Sequence, residues 1–285
     1  MKLFTSKSEA GRRYVIDACA STGGFGIVYR AFAESDGKRD FPQALKMFLL
    51  NTSLQDRVNK VDQEVGFLAR VQSEVVPRLM DYCLDAFGPY LVMEYVPETL
   101  ETKKNEVEGK EIQDLLASFL RQLPELLRVP YEQGISHCDI HPGNLGITGG
   151  TFVLLDWGRA RNAGGILELC QGNNLSYLAP EIRKTALVHP LSDVYSAEKL
   201  IEDILLQTFY LTEKKSTPLG EEKATLQALR DIQEKYCTPL PASLGRLMMA
   251  MTAPADKRPK PDDLIFLVED VLNDFEKHNF FALLN

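Results

Sequence analysis

A loop rich in polar side chains lies near the middle of the 285-residue chain, between Gly134 and Leu145. In this loop Asp139 offers a carboxylate that can orient a hydroxyl nucleophile or accept its proton. Asn144 follows shortly after and offers an amide oxygen, which is a ligand that hard cations prefer. These two residue types in one loop predict a site that activates a nucleophile beside a bound metal ion.

A second carboxylate follows this loop at the end of an apolar strand pattern. The pattern covers residues 151–155 and ends at Asp156, which is followed by Trp157 and Gly158. An aspartate before a glycine at the end of a strand is commonly only a turn former. Because the polar loop lies so close in the sequence, we interpret Asp156 as a second metal ligand.

A lysine and a glutamate with complementary positions occur earlier in the chain. Lys46 lies in an apolar strand pattern over 43–48, and Glu64 lies on the helical pattern that follows it. Such a pair can form an ion pair that directs the lysine ammonium toward phosphates. The alternative is that Lys46 faces solvent and that Glu64 is one more charge on a helix surface.

A glycine cluster between two strand patterns precedes this lysine, from Ser21 to Val28. Glycines without a Cβ let backbone amides come close to a polyphosphate and donate hydrogen bonds to it. The same cluster is equally compatible with a simple hairpin turn.

The elements that position these residues change in character near residue 97. Before it, the patterns predict strands at 14–16, 27–32, 43–48, 77–84 and 90–95 and an amphipathic helix over 54–72. Residues 98–110 are charged without an apolar period, which predicts a linker or a short exposed helix. Beyond them, helical patterns cover residues 112–133, 191–209, 221–236, 240–251 and 262–280.

Composition excludes several classes of protein. The chain has 32 Lys and Arg against 40 Asp and Glu, a net charge of −8, which argues against nucleic acid or an anionic membrane as the main partner. Its five cysteines form no C-x-x-C pair, so we expect neither a disulfide framework nor a zinc site. No apolar run reaches about 18 residues, the length that a membrane span needs. We therefore predict a soluble, cytoplasmic protein.

The order of these motifs resembles the eukaryotic-type protein kinase superfamily along nearly the whole chain. The resemblance is carried by the glycine loop, Ala44-Leu45-Lys46, His137-Cys138-Asp139 with Asn144, Asp156-Trp157-Gly158, and Ala179-Pro180-Glu181. It implies an α+β fold with two lobes, a small β-rich lobe with one main helix over 1–96 and a larger helical lobe over 97–285. A cleft between the lobes is where such a fold is expected to bind its ligand.

The resemblance also implies roles for individual residues. The glycine loop would cover the phosphates of ATP, and Lys46, held by Glu64, would contact them. Asn144 and Asp156 would bind Mg²⁺. Asp139 would orient the acceptor hydroxyl. The residues implied in nucleotide binding are Gly23, Gly24, Phe25, Gly26, Val28, Ala44, Lys46, Met93, Glu94 and Val96. Asp193 is implied to tie down the catalytic loop, and Arg258 to pair with Glu181.

Two residues of the catalytic loop depart from the family pattern. Cys138 replaces the arginine that receives a phosphorylated activation segment, which predicts activity independent of such phosphorylation. His141 replaces a lysine that neutralises the γ-phosphate, a catalytic role that a histidine can fill only when protonated. Asn174 stands where Ser/Thr kinases carry a threonine, so the sequence favours Ser/Thr specificity only weakly.

Three functions follow from this pattern. The leading prediction is an ATP- and Mg²⁺-dependent kinase acting on Ser or Thr of a protein substrate. The run from His141 to Asn144 is also similar to kinases of small molecules, such as aminoglycoside and choline phosphotransferases. The third alternative is a pseudokinase that binds nucleotide without catalysis. This alternative is disfavoured because the chain retains Lys46, Glu64, Asp139, Asn144 and Asp156.

Overall fold

The structure is a computed structural model that describes most of the chain. The described residues are 3–5, 13–22, 26–35, 38–48, 53–84, 88–169, 175–206, 221–236 and 239–277. Gly23, Gly24, Phe25 and Asn174, for which sequence predictions were made, lie outside them. The chain divides into two compact units, Met1–Pro97 with Leu155–Gly158, and Glu98–Leu154 with Arg159–Asn285.

The first unit is built on a six-stranded antiparallel sheet. Its strands are β1 (Leu3–Thr5), β2 (Arg13–Thr22), β3 (Gly26–Ser35), β4 (Lys38–Phe48), β5 (Leu79–Cys83) and β6 (Tyr90–Glu94). They pair in the order β1-β2-β3-β4-β6-β5. The buried cluster beside this sheet contains Tyr14, Leu45, Tyr90 and Val92, which alternate with residues of the opposite face as a strand requires.

The one helix of the described first unit is α1 (Leu54–Arg70), as the apolar period predicts. It begins at Ser53, whose hydroxyl accepts a hydrogen bond from the amide of Asp56 at 3.1 Å and so satisfies one free helix donor. Its buried face carries Val61, Phe67 and Leu68 together with Glu64. A carboxylate on a buried face is costly unless it is paired, so Glu64 requires a partner.

The second unit is mainly helical. Its helices are α2 (Leu100–Lys103), α3 (Lys110–Glu132), α4 (Pro180–Thr185), α5 (Ser192–Leu206), α6 (Glu221–Tyr236), α7 (Ala242–Met251) and α8 (Pro261–Lys277). Its short strands are β7 (Glu98–Thr99), β8 (Ile135–Ser136), β9 (Leu145–Thr148), β10 (Thr151–Leu154) and β11 (Arg161–Asn162). Helix α3 packs against α5 and α8, and the strands form a β10-β9-β7 sheet and a β11-β8 pair.

The predicted fold class is confirmed, since a β-rich unit with one helix is followed by a larger helical unit. The short helix expected within residues 98–110 is present as α2, but the stretch also forms β7, and its expected exposure is wrong for Leu100 and Lys104, whose side chains are completely buried. None of the described helices is both long enough and apolar enough to cross a membrane.

Candidate active site

Lys46 lies at the centre of an ion cluster in the first unit. Its Nζ is 2.8 Å from Glu64 Oε1, 2.7 Å from Glu64 Oε2 and 2.7 Å from Asp156 Oδ1. The side chains of Lys46 and Glu64 are 3% and 0% exposed, whereas that of Asp156 is 36% exposed. The ion pair expected from the sequence therefore forms, and the alternative of a lysine facing solvent is wrong.

The protonation of this cluster follows from its burial and its charges. Burial alone lowers the pKa of Lys46, but the carboxylates of Asp156 and Glu64 together outweigh that effect and raise it. Burial raises the pKa of Glu64 to about 7, although the ammonium of Lys46 opposes this shift. One ammonium thus serves two carboxylates, and the more exposed of them, Asp156, can accept a further cation.

The backbone of Asp156 is held in an uncommon conformation. Its φ is 56°, in the left-handed region that non-glycine residues rarely adopt. The amide of Gly158 donates to Asp156 Oδ1 at 3.3 Å, and Gln63 Nε2 on α1 donates to the carbonyl of Gly158 at 3.0 Å. Strained backbone of this kind persists where the surroundings fix it, commonly at functional sites.

Strand register places four predicted nucleotide contacts on one face of the sheet. Val28 on β3 pairs with Lys46 on β4, and Ala44 on β4 pairs with Met93 on β6. Directly paired residues share a face, and Ala44 and Lys46 share one because they are two residues apart. Ala44 and Met93 are each 6% exposed, so this face carries apolar side chains next to the lysine.

The remaining predicted contacts of the first unit lie near these strands. Glu94 ends β6 with an exposed side chain, and Val96 follows with a half-buried one. Gly26 begins β3, where a Cβ would lie 2.6 Å from the carbonyl oxygen of Met47. Position 26 therefore requires glycine, because any larger residue would push β3 away from β4.

The catalytic loop of the second unit joins Asp139 to Asn144. Asn144 Nδ2 donates to the Asp139 carbonyl oxygen at 3.0 Å and to Asp139 Oδ2 at 3.2 Å. Because the amide nitrogen faces Asp139, the acceptor oxygen of Asn144 is directed elsewhere. The predicted proton acceptor and the predicted metal ligand thus fix each other within one loop.

Asp193 on α5 anchors the start of this loop. Its carboxylate accepts the His137 amide at 2.6 Å and the Cys138 amide at 3.0 Å. Burial raises the pKa of Asp193 to about 6, and the two amides oppose this shift. The structural role assigned to Asp193 from the sequence is confirmed.

Cys138 is a buried packing residue with no phosphate-binding capacity. It is 2% exposed, its thiol donates to the Ser136 carbonyl at 3.4 Å, and its φ is 63°. Burial raises the pKa of the thiol well above its usual range, and Asp193 adds to this effect. The thiol therefore stays protonated and poorly reactive.

The ring of His141 is hydrogen-bonded within the catalytic loop. Its Nδ1 accepts from the Gly143 amide at 3.2 Å, and its ring centroid lies 6.1 Å from that of Tyr177. This hydrogen bond involves only one of the two ring nitrogens, so the cationic role expected for His141 stays a prediction.

The segment from Arg161 to Val188 is fastened by its own backbone and by one guanidinium. Arg161 donates to the carbonyls of Arg159, Ala160 and Ile166 at 2.8–3.2 Å. Leu167 donates to the Ala186 carbonyl at 2.8 Å, and Val188 donates to that of Gly165 at 2.9 Å. These bonds join the described ends of the segment through backbone groups and one guanidinium.

A bidentate ion pair holds the beginning of α4. Arg258, with a side chain 1% exposed, donates to Glu181 Oε1 at 2.7 Å and to Oε2 at 2.8 Å. Burial would raise the pKa of Glu181, but its hydrogen bonds to Arg258 and the charge of that residue lower it. The predicted pairing of these two residues is confirmed.

Sequence reasoning missed a second buried ion cluster, formed by Lys104, Asp203 and Tyr177. Lys104 belongs to the charged stretch that was expected to be exposed, and Asp203 lies in the last turn of α5. The one available signal is the occurrence of charged residues within an otherwise apolar helix.

The two predicted metal ligands, Asp156 in the first unit and Asn144 in the second, each offer a hard oxygen donor. Among the described residues, no group of three or more His, Cys, Asp or Glu side chains could hold a metal ion. Mg²⁺ commonly binds through one or two protein oxygens together with waters and substrate phosphates. Asp156 and Asn144, as isolated hard donors, suit that mode.

Comparison with known proteins agrees with this architecture. Residues 18–277 match the family model described as the protein kinase domain, and the chain belongs to that family. It is 25% identical over 208 residues to cyclin-dependent kinase 7 of Dictyostelium discoideum, a match that covers 70% of this chain and 57% of the relative.

Further relatives carry similar names. Serine/threonine-protein kinase PknL of Mycobacterium bovis is 26% identical over 198 residues, covering 68% of this chain and 49% of the relative. Aurora kinase C of Mus musculus is 24% identical over 228 residues, covering 79% of each chain. The chain thus spans only about half the length of the first two relatives.

Proposed function

We propose that this protein is an ATP- and Mg²⁺-dependent protein kinase that phosphorylates Ser or Thr of protein substrates. The carrying observation is the buried Lys46, which is held by Glu64 and contacts the more exposed carboxylate of Asp156. Membership of the protein kinase family and relatives named serine/threonine kinases support the reaction class.

On the nucleotide side, the first unit supplies charge and an apolar surface. Lys46 would contact the α- and β-phosphates of ATP, while Val28, Ala44 and Met93 would contact the adenine. Backbone groups at Glu94 and Val96 would bind the purine edge, and Gly23, Gly24, Phe25 and Gly26 would cover the phosphates. Because the ammonium is fixed by Glu64, it loses little freedom when the phosphates bind.

On the acceptor side, the catalytic loop positions the nucleophile. Asp139 would orient the substrate hydroxyl and take up its proton, and Asn144 keeps the carboxylate of Asp139 in place. Asn144 and Asp156 would each offer one oxygen to Mg²⁺, as the resemblance to the family implies. That ion, when bound, neutralises charge on the transferred phosphoryl group. His141, whose Nδ1 accepts a hydrogen bond from the Gly143 amide, would neutralise charge on the γ-phosphate only when its ring is protonated.

We further propose that activity does not require phosphorylation of the activation segment. Cys138 replaces the arginine that would receive the phosphate, and Arg161 is already bonded to three carbonyls of the same segment. Phosphatase treatment should therefore leave the rate unchanged. Loss of activity after this treatment would contradict the proposal.

The function is tested by incubating the full chain with labelled ATP, Mg²⁺ and a generic protein substrate. Asp139→Asn should reduce labelling of the substrate by about 10²- to 10⁴-fold, since it removes the proton acceptor while preserving shape. Asp156→Ala should abolish the Mg²⁺ dependence together with transfer. Asp114→Asn, at an exposed position on α3, is the matched control and should label like the wild type.

The other outcomes identify the alternatives. Transfer only to a small alcohol or an amino sugar would identify a small-molecule kinase. Thermal stabilisation by ATP without any transfer would identify a nucleotide-binding module, because binding stabilises a fold whether or not chemistry follows. A cytoplasmic location remains a prediction of the cysteine pattern, with Cys19, Cys83 and Cys138 all free thiols in the structure.

A further inference from the structure

A lysine is completely buried at the end of α2. Lys104 is 0% exposed, and its Nζ lies 3.4 Å from Asp203 Oδ2 on α5. Burying an ammonium costs several kcal/mol unless a charged partner compensates for the loss of hydration. Such a residue is costly to maintain, so its position in the fold calls for a physical explanation.

The carboxylate of Asp203 links this lysine to the segment before α4. The hydroxyl of Tyr177 donates to the same oxygen, Asp203 Oδ2, that faces the ammonium. The second oxygen, Oδ1, is buried with no hydrogen-bond partner. Asp203 therefore depends on Lys104 and Tyr177 for its stabilisation, because it has few other polar contacts.

Tyr177 in turn lies against the catalytic loop. Its ring faces that of His141, and it forms one wall of a small cavity whose other walls include Cys138, Asp139 and Ser196. Three separate segments of the second unit thus converge on one carboxylate: the end of α2, the last turn of α5, and the segment that carries Tyr177 beside Asp139.

We propose that Lys104 is a positioning residue for the phosphoryl acceptor: through Asp203 it holds Tyr177 against the catalytic loop. This inference rests on the proposed kinase function. Removing the ammonium leaves a buried carboxylate without its cation, and that carboxylate will take up a proton or admit water. Either change weakens the charge-assisted bond to Tyr177 and loosens the wall beside Asp139.

Hydrogen exchange tests the positioning without relying on catalysis. In Lys104→Met, amides of residues 175–179 should exchange at least about tenfold faster, as expected for local opening rather than global unfolding. Amides of β4 and α8 should keep their wild-type rates. The matched control is Lys103→Met, since Lys103 is 37% exposed and forms only long contacts of 3.7 Å with Glu98 and Glu106.

Two further variants separate positioning from simple stability. Lys104→Arg keeps a cation and should restore most of the protection of residues 175–179. The double variant Lys104→Met with Asp203→Asn removes both charges, so it should recover thermal stability. Amide hydrogen exchange at residues 175–179 should nevertheless stay fast, because the ionised acceptor of the Tyr177 hydrogen bond is gone. Recovery of both properties in the double variant would overturn the proposal and leave only a structural ion pair.

The kinetic measurement locates the effect on the acceptor side. Lys104→Met should lower kcat/KM for the protein substrate by about tenfold, while the Kd for ATP stays unchanged. Unchanged exchange at 175–179, or equally fast exchange in α8, would overturn the proposal. If the wild type transfers no phosphate to any acceptor, the proposed function fails, and the exchange experiment still decides the role of Lys104.

Discussion

The first unit buries Lys46, the second buries Lys104 and Lys199, and the surroundings of Lys46 differ from those of Lys104. Lys46 contacts two carboxylates, of which Asp156 is 36% exposed. Lys104 and its partner Asp203 are both 0% exposed. Because one carboxylate of the Lys46 cluster is exposed, a ligand can take its place beside the ammonium. The Lys104–Asp203 pair is completely buried, so this sealed cluster can only hold parts of the fold together. Burial of the partner, rather than burial of the lysine, therefore distinguishes a binding residue from a positioning residue.

The largest expected effect is the loss of phosphoryl transfer in Lys46→Met. Removing this ammonium should lower transfer by about 10²- to 10³-fold, the usual consequence of deleting one preorganised charge from an active site. Thermal stability should change little, because Glu64 has a pKa of about 7 and can be protonated when its cation is absent. The assay is labelled transfer with Lys38→Met, at an exposed strand position, as the control. Full activity in Lys46→Met would remove the distinction between the two lysines.

The next effect concerns pH and the sealed cluster. Burial raises the pKa of Asp203 from 3.8 to about 6, with Lys104 and Tyr177 opposing the shift. Because the folded state binds this proton more tightly than the unfolded chain does, the contribution of Asp203 to the free energy of unfolding decreases as the pH rises from about 4 to 6. The stability difference between wild type and Asp203→Asn should therefore shrink by about 2 kcal/mol over that range.

Urea unfolding at several pH values measures this slope. Asp114→Asn, at an exposed position, should run parallel to the wild type throughout. A difference between wild type and Asp203→Asn that grows with pH would mean that Lys104 outweighs burial at Asp203.

The smallest expected effect concerns a buried side-chain amide without hydrogen-bond partners. Gln43 on β4 is 0% exposed, and neither its Oε1 nor its Nε2 has a hydrogen-bond partner. Gln43→Val should raise the free energy of unfolding by about 1–2 kcal/mol, because it removes an unsatisfied buried amide. Transfer should be unaffected, since position 43 faces away from Lys46. Gln113→Val is the opposite control and should destabilise, as Gln113 Nε2 donates to the Phe275 carbonyl at 3.1 Å.

The sequence predicts those parts of the molecule that local chemistry determines. The apolar period over 54–72 predicts α1, and the order of motifs predicts the pairing of Lys46 with Glu64 and the anchoring by Asp193. A charged group that is buried needs a partner. A lysine within an apolar strand and an aspartate at the start of an apolar helix therefore each predict a partner elsewhere in the chain. Resemblance to the family identified that partner.

The parts that failed depend on contacts between residues distant in the sequence. Lys104 belongs to a charged stretch, and charged residues are mostly exposed, so nothing local indicates that Asp203 lies opposite it. Such outcomes follow from tertiary packing, which overrides the preference of a single residue.

Trp157 is the sole tryptophan of the chain and is completely buried. It follows Asp156 directly, and its backbone hydrogen bond to Glu64 lowers the pKa of that residue. All tryptophan fluorescence of this chain therefore comes from a single buried residue whose backbone contacts the Lys46 cluster. Its emission can report nucleotide binding, metal binding or opening of the first unit without any attached label, so each variant of Lys46, Glu64 or Asp156 has an intrinsic optical readout.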